Sequence, residues 1–421
     1  MRCLPRLVVL LGLCVLSRQA VEAADWPQWR GPARDGHSSE TGLFDSWGEK
    51  GPELAWQAKG LGGGHSGVSV AGGKIFTSGN QKDGQAIVAI SAADGKKLWS
   101  TTITSSVPRH GSRGARTTPS VDGERLYVVT SNGSIAALST TSGKVLWQKD
   151  FIKEWKGQMM SGWGFSESPL VDGDRVLCTP GGPEAGIVAL DKVTGKEIWR
   201  SKIGGGGRKG AGYSSIVISN GGGVKQYVQL MGKGVVGVRA SDGKHLWTYK
   251  KVANGTANIS TPIVTGDYVF ASTGYGTGSV LLKLKATGDG GVEAEEEYFL
   301  KANVLQNKHG GMVLVDGYIY CGHGNGSGMP ICVELKTGKV AWGPQSDPRR
   351  GETSVIYADG HIVYRFQNGE VALVEATPKG FKEKAVFKPV FRQGQSWAHP
   401  AIADGKLYLR EQDRLMCYKL K

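Results

Sequence analysis

Hydrophobic positions along this chain fall in short runs, each closed by a polar turn, and one unit recurs. An apolar strand leads into a turn, then Gly-Lys, then a tryptophan four residues after the glycine. It reads AISAADGKKLW at Ala89 to Trp99, ALSTTSGKVLW at Ala137 to Trp147 and ALDKVTGKEIW at Ala189 to Trp199. Further copies, VRASDGKHLW and VELKTGKVAW, end at Trp247 and Trp342. Alternation such as Ala189 and Asp191 suits a half-buried strand. The Asp/Thr/Ser-Gly pair suits a tight turn with glycine at positive φ. The strand that follows delivers a large aromatic ring with one N–H to place.

The spacing counts the units. Trp56, Trp99, Trp147, Trp199 and Trp247 follow one another at intervals of 43 to 52 residues. Trp247 and Trp342 are two intervals apart, with Tyr298 in a degenerate middle copy (EEEYFL), and one more interval reaches Phe387. The residues left after Phe387 suffice for three strands but not four. Glu53 to Lys59 (ELAWQAK) reads as a lone fourth strand with no blade before it. The two remnants complement each other, which predicts an all-β fold: an eight-bladed β-propeller of four-stranded blades. Its ring closes when the N-terminal strand completes the C-terminal blade. Residues 53–421 form one domain, and residues 24–52 are expected to decorate it.

The first residues differ in kind. Arg2 and Arg6 precede the apolar run Leu7 to Leu16, and Val21-Glu22-Ala23 places small residues at a peptidase site. Residues 1–23 therefore read as a secretory signal cleaved after Ala23, too short for a permanent span. Residues 1–23 carry Arg2, Arg6, Arg18 and Glu22, so their removal lowers the formal charge of +14 by two. The remaining lysines and arginines sit mostly in turns, which gives a solvated basic rim; no nucleic-acid partner is expected. The 65 glycines fit a turn-rich β chain, and 39% hydrophobic content excludes wholesale disorder. No later stretch reaches the length of a transmembrane helix. Cys178, Cys321, Cys332 and Cys417 remain after cleavage, with no C-x-x-C or C-x-x-C-H among them. Cys321 and Cys332 fall in strands joined by a glycine-rich turn and are expected to form a disulfide in an oxidising compartment, leaving Cys178 and Cys417 free.

The run A-L-D-x-x-T-G-K-x-x-W at Ala189 to Trp199 resembles the tryptophan-docking motif of the pyrroloquinoline-quinone-like (PQQ-like) propeller superfamily, and with degenerate copies the likeness covers residues 53–421. The superfamily includes quinoprotein alcohol dehydrogenases and BamB, the propeller lipoprotein of outer-membrane β-barrel assembly. DWPQWRGPARDG (Asp25 to Gly36) with WGFSESPLVDG (Trp163 to Gly173) is similar to planctomycete-type secreted propellers. The adjacent cysteines frequent in the dehydrogenases are missing here, as is a lipobox before Cys14. The resemblance implies a fold, not an activity.

Chemistry is harder to read. No Walker A, G-x-S-x-G or H-E-x-x-H occurs. In a propeller the segments that lead into the innermost strands converge near the axis, which singles out His65, Arg113, Arg116, Trp163, Glu167, Asn258, His309, Glu352, Trp397 and His399 as a candidate ligand-binding funnel. The same residues would serve equally well to satisfy strand ends and channel water. The leading reading is a secreted or periplasmic, monomeric binding or scaffold propeller, BamB-like in the broad sense. It would take a protein partner through rim loops or an anionic small molecule in the funnel. The alternative is a PQQ- and Ca²⁺-dependent quinoprotein dehydrogenase acting on alcohols or sugars, with Glu167 and Asn258 as metal ligands. A third reading pairs Glu167 with Glu352 as carboxylates acting on a carbohydrate.

Overall fold

A computed structural model of the chain describes residues 25–43, 46–48, 50–111, 114–349 and 351–421. The expected signal at 1–23, and Arg113, lie outside the described residues. Eight antiparallel four-stranded sheets follow one another; seven are built of consecutive strands, and one of these seven carries an additional, parallel fifth strand. Blades 1 to 7 span residues 69–102, 120–150, 170–201, 217–249, 263–301, 312–342 and 353–387. Blade 8 takes three strands from Ala401–Ala403, Lys406–Glu411 and Arg414–Lys419, and its outermost strand is Leu54–Lys59. Leu54–Lys59 pairs antiparallel with Arg414–Lys419, so the two ends of the repeat region close the ring. First strands touch between blades 1 and 2, 2 and 3, 4 and 5, 5 and 6, and 6 and 7, which places them round the axis. No helix among the described residues is long and apolar enough to cross a membrane.

The blades are buried on both faces, and this explains why their middle strands are apolar without a break. In Gly84–Ser91 every residue but the last is buried. Alternate side chains enter opposite blade interfaces: Phe76, Ile87 and Ala89 pack towards blade 2, while Ile75, Val88 and Ile90 pack towards blade 8. The same alternation corrects the expected disulfide. Cys332 is opposite Tyr320 in the ladder and Cys321 is opposite Ile331. Cys332 therefore faces blade 7 and Cys321 faces blade 5, on opposite sides of one sheet. All four cysteines described are free and buried.

The repeated tryptophan has a specific place. In every blade the outermost ladder slips by one residue just before the aromatic position, a bulge that turns the ring towards the next blade. Trp99 lies on Gly143 of blade 2, where a Cβ would come within 2.5 Å of the indole, and Gly143 has φ 71°. Its Nε1 donates to the Thr140 carbonyl at 3.2 Å. Trp56 to Ala92, Trp147 to Lys192 and Trp342 to Thr377 repeat this bond one blade along, and Tyr298 substitutes with its hydroxyl on Leu335 at 2.6 Å. Trp199 packs on Gly243 alike, but the carbonyl its N–H would take, that of Ala240, accepts from Arg175 at 2.8 Å. In blade 7 the expected aromatic, Phe387, is two residues out of register: Ala385 holds the position after the bulge. Phe387 packs instead on Tyr418 and Trp47, at 5.1 and 5.0 Å between ring centroids.

The segment expected to decorate the ring crosses its axis. Trp26 bridges to Val70 in the first strand of blade 1, and the Pro27 carbonyl accepts from Val121 in blade 2. Arg34 donates to the Ser168 and Pro169 carbonyls before blade 3, and Trp29 Nε1 to Thr261 Oγ1 before blade 5. Arg30 donates to the Met312 carbonyl of blade 6. His37–Ser38 adds a parallel fifth strand to Thr353–Ala358 of blade 7, and Glu40 accepts from Gly405 of blade 8. One short arm thus ties seven blades together.

Candidate functional site

The lead-ins to the eight first strands surround one cavity of about 220 Å³. Each blade contributes: His65, Arg116, Trp163, Tyr213, Ile259, the pair Lys308 and His309, Glu352, and the pair Trp397 and His399, in blade order, with Trp29 of the arm beside them. Seven of the residues expected in the funnel are therefore brought together. Trp397 is held by its Nε1 bond to Gln367 Oε1 at 2.8 Å and lies between two imidazoles, with His65 at 5.0 Å and His309 at 5.1 Å between ring centroids. Trp29 meets His399 edge-on at 4.4 Å. Trp163 and Tyr213 make a second aromatic corner at 5.9 Å, where Arg116 donates to the Trp163 carbonyl.

Charge in the cavity is sparse and asymmetric. Lys308 Nζ is 3.0 Å from Glu352 Oε1, an ion pair that opposes the upward pull of burial on the Glu352 carboxyl. The Lys308 ammonium also lies 5.5 Å from the centre of the Tyr275 ring. The lining thus holds two cationic side chains, Arg116 and Lys308, and one carboxylate, Glu352. The histidines do not add to that charge. Burial, with Arg116, Arg410 and Arg365 nearby, lowers His65 to about 4; burial with His65 and Lys308 lowers His309 to about 3. His399 is lowered for the same reason, burial first and Arg30 next. All three are neutral imidazoles at neutral pH. The cavity can thus grip a flat, apolar body between indoles, hydrogen-bond it through imidazoles and meet a negative end with Arg116 or Lys308.

Glu167 and Asn258 are placed elsewhere. Glu167 is 3% exposed and accepts from Thr179 N at 2.6 Å, Thr179 Oγ1 at 2.8 Å and Gln229 Nε2 at 3.0 Å. Asn258 is fully buried, donating to the Met231 carbonyl at 2.9 Å and accepting from Asn254 N at 3.0 Å. Both brace one blade against the next. Their neighbours Ser166, Ser168, Ala257 and Ile259 line the cavity instead, because an extended lead-in turns alternate side chains to opposite sides. Glu167 is therefore not paired with Glu352 across the funnel. Ca²⁺ takes six to eight oxygens, and the cavity's carboxylate, Glu352, already answers Lys308. No cluster of three His, Cys, Asp or Glu residues suited to a metal ion occurs among the described residues. The donor set present does not fit a calcium–quinone pair.

Trp29 and Tyr275 were not among the residues expected here. Trp29 belongs to a segment without repeat character. Tyr275 sits at φ 58° in the glycine-rich loop GYGTG, which has no repeat character either.

Comparison with known proteins agrees with this architecture. The sequence profile of the family described as outer membrane protein assembly factor BamB matches residues 42–162 and 112–344. The outer membrane protein assembly factor BamB of Kangiella koreensis is 31% identical over 214 residues, which cover 48% of this chain and 47% of that protein. A quinoprotein ethanol dehydrogenase of Pseudomonas aeruginosa is 32% identical over 128 residues, 27% of this chain and 19% of that enzyme. The matched stretch thus spans about half of the first relative and about a fifth of the second. Among solved structures, the quinohemoprotein alcohol dehydrogenase of Comamonas testosteroni superposes with a TM-score of 0.65 at 14% identity, covering 94% of this chain and 80% of that one. A europium-containing methanol dehydrogenase gives 0.63 at 14% identity, covering 92% and 89%. At such identities the likeness concerns the fold.

Proposed function

The chain belongs to the PQQ-like β-propeller family described as outer membrane protein assembly factor BamB, and we propose that it is a binding propeller whose axial funnel recognises a flat anionic group. That group is either a small molecule or a side-chain cluster offered by a protein partner that the rim loops engage. The protein works outside the cytoplasm, in keeping with the secretory character of residues 1–23. One observation carries the reading: the eight blades together place aromatic rings, neutral imidazoles and the cationic side chains of Arg116 and Lys308 round a single cavity. A dehydrogenase reading draws on the quinoprotein relatives, but the oxygen ligands it needs at Glu167 and Asn258 are committed to bracing the blades.

Purified protein separates the two. Aromatic monocarboxylates should raise the melting temperature without Ca²⁺, and pyrroloquinoline quinone should do no better with Ca²⁺ than without it. Stabilisation by the quinone that depends on Ca²⁺, or a quinone absorbance in the protein as purified, would overturn the binding reading in favour of the redox one.

A further inference from the structure

We infer that the N-terminal arm, residues 25–43, is part of the binding site: Trp29 is its floor, and the seating of the arm by Arg30 and Arg34 determines whether the funnel is a blind pocket or an open channel. The inference rests on the funnel reading above and assigns the site a component outside the repeats.

The geometry has two ends. Cavity residues such as Arg116, Lys308 and Trp397 precede the first strands of their blades, whereas the arm meets those strands further along, at Val70, Val121 and Tyr357. The cavity and the arm therefore occupy successive levels on the axis, and Trp29 reaches up from one to the other. Its ring packs edge-on against His399 at 4.4 Å, and its Nε1 lies 3.3 Å from Thr261 Oγ1.

The anchors are unlike those of a loosely held tail. Arg30 and Arg34 are each 4% exposed. A guanidinium is buried at that depth only where fixed acceptors replace its water. Arg34 finds them in Ser168 O at 2.7 Å, Pro169 O at 3.0 Å and Gln28 Oε1 at 3.0 Å; Arg30 finds Asp35 O at 2.8 Å and the Met312 carbonyl. Ser168 itself lines the cavity, so the grip of Arg34 and the cavity wall share a residue. On the other side the chain keeps Gly311 without a side chain, and a Cβ there would fall 1.6 Å from Arg30 Nη1. Gly311 does not have a positive φ, so alanine at this position is a wedge, foremost against Arg30 and also 3.0 Å from His399 Cε1, rather than a backbone fault.

The experiment uses the full chain and 2-naphthoate, an aromatic monoanion, as the probe. Two readouts are taken: the dissociation constant by titration calorimetry, and amide hydrogen exchange. The parent should bind 2-naphthoate and should protect the amides of Trp26, Val70, Val121 and Tyr357, which hydrogen-bond between arm and blades. Trp29→Ala should weaken binding about tenfold or more, the scale of losing one aromatic wall. Arg34→Ala and Gly311→Ala, neither of which removes a cavity-lining side chain, should weaken binding several-fold and raise exchange at the same four amides. Equal affinity in the parent and Trp29→Ala overturns the floor role and leaves the funnel reading intact. Fast exchange at the four amides in the parent overturns the seating of the arm whatever the ligand. A protected arm with no binding by the parent overturns the funnel reading, and the floor role falls with it.

Discussion

Replacing Glu167 with glutamine should flatten one part of the pH dependence of folding. The Glu167 carboxyl is raised from 4.5 to about 7, chiefly by burial, against the donors Thr179 and Gln229 and the charge of Arg34. A group whose native pKa lies above its unfolded value holds its proton more tightly in the fold. Its contribution is complete below pH 4.5 and disappears as the pH rises through about 7. At about 1.4 kcal/mol per unit, the loss is roughly 3 kcal/mol. Glutamine does not titrate, and its amide adds an offset that does not vary with pH. Urea unfolding of the parent and Glu167→Gln at matched ionic strength, from pH 4.5 to 8.5, should give a stability difference that shifts against the parent by this amount as pH rises. The funnel histidines act in the other direction: they are depressed in the fold, so both proteins lose stability below pH 6.5, and the term cancels in the difference. A difference that stays level across the range would mean that the three hydrogen-bond donors and Arg34 keep the carboxylate ionised, and the burial argument would fail.

Three further outcomes are expected. Trp147→Phe should cost about 1 kcal/mol more than Trp199→Phe in denaturant unfolding, because only the former breaks an indole bond to the next blade. Deleting residues 54–59 should bare the edge of Arg414–Lys419 and lose the Trp56 contact with Gly95, lowering stability by several kcal/mol; an unchanged melt would refute the closure. Alkylation without reductant should leave Cys178, Cys321, Cys332 and Cys417 unmodified in the native protein and label all four after denaturation, since each thiol is buried and unbridged.

The ring was legible because its signal is carried by backbone turns and a bulky aromatic at fixed offset, and these survive even where Tyr298 replaces tryptophan. The closure followed from counting strands. The funnel was legible only to within one residue. Glu167 and Asn258 sit beside cavity residues in extended segments, and nothing local reveals which alternate side chain faces inwards. The disulfide failed on the same alternation: Cys321 and Cys332 are close along a hairpin yet on opposite faces of its sheet. The arm was missed for another reason. Its residues pair with seven blades at long range, and neither WPQW nor ARDG has a period from which such pairing could be inferred. Two arginines near tryptophans look like surface chemistry until the carbonyls that surround them are known.

The central claim is that ligand recognition takes place on the axis. A thermal-shift titration of the parent and Arg116→Ala against the same aromatic carboxylates tests it most directly. The account predicts unliganded melting temperatures within a few degrees of each other, a rise with ligand in the parent, and little or none in the variant. Equal ligand-induced rises in the two proteins would place the binding site elsewhere on the propeller and contradict it.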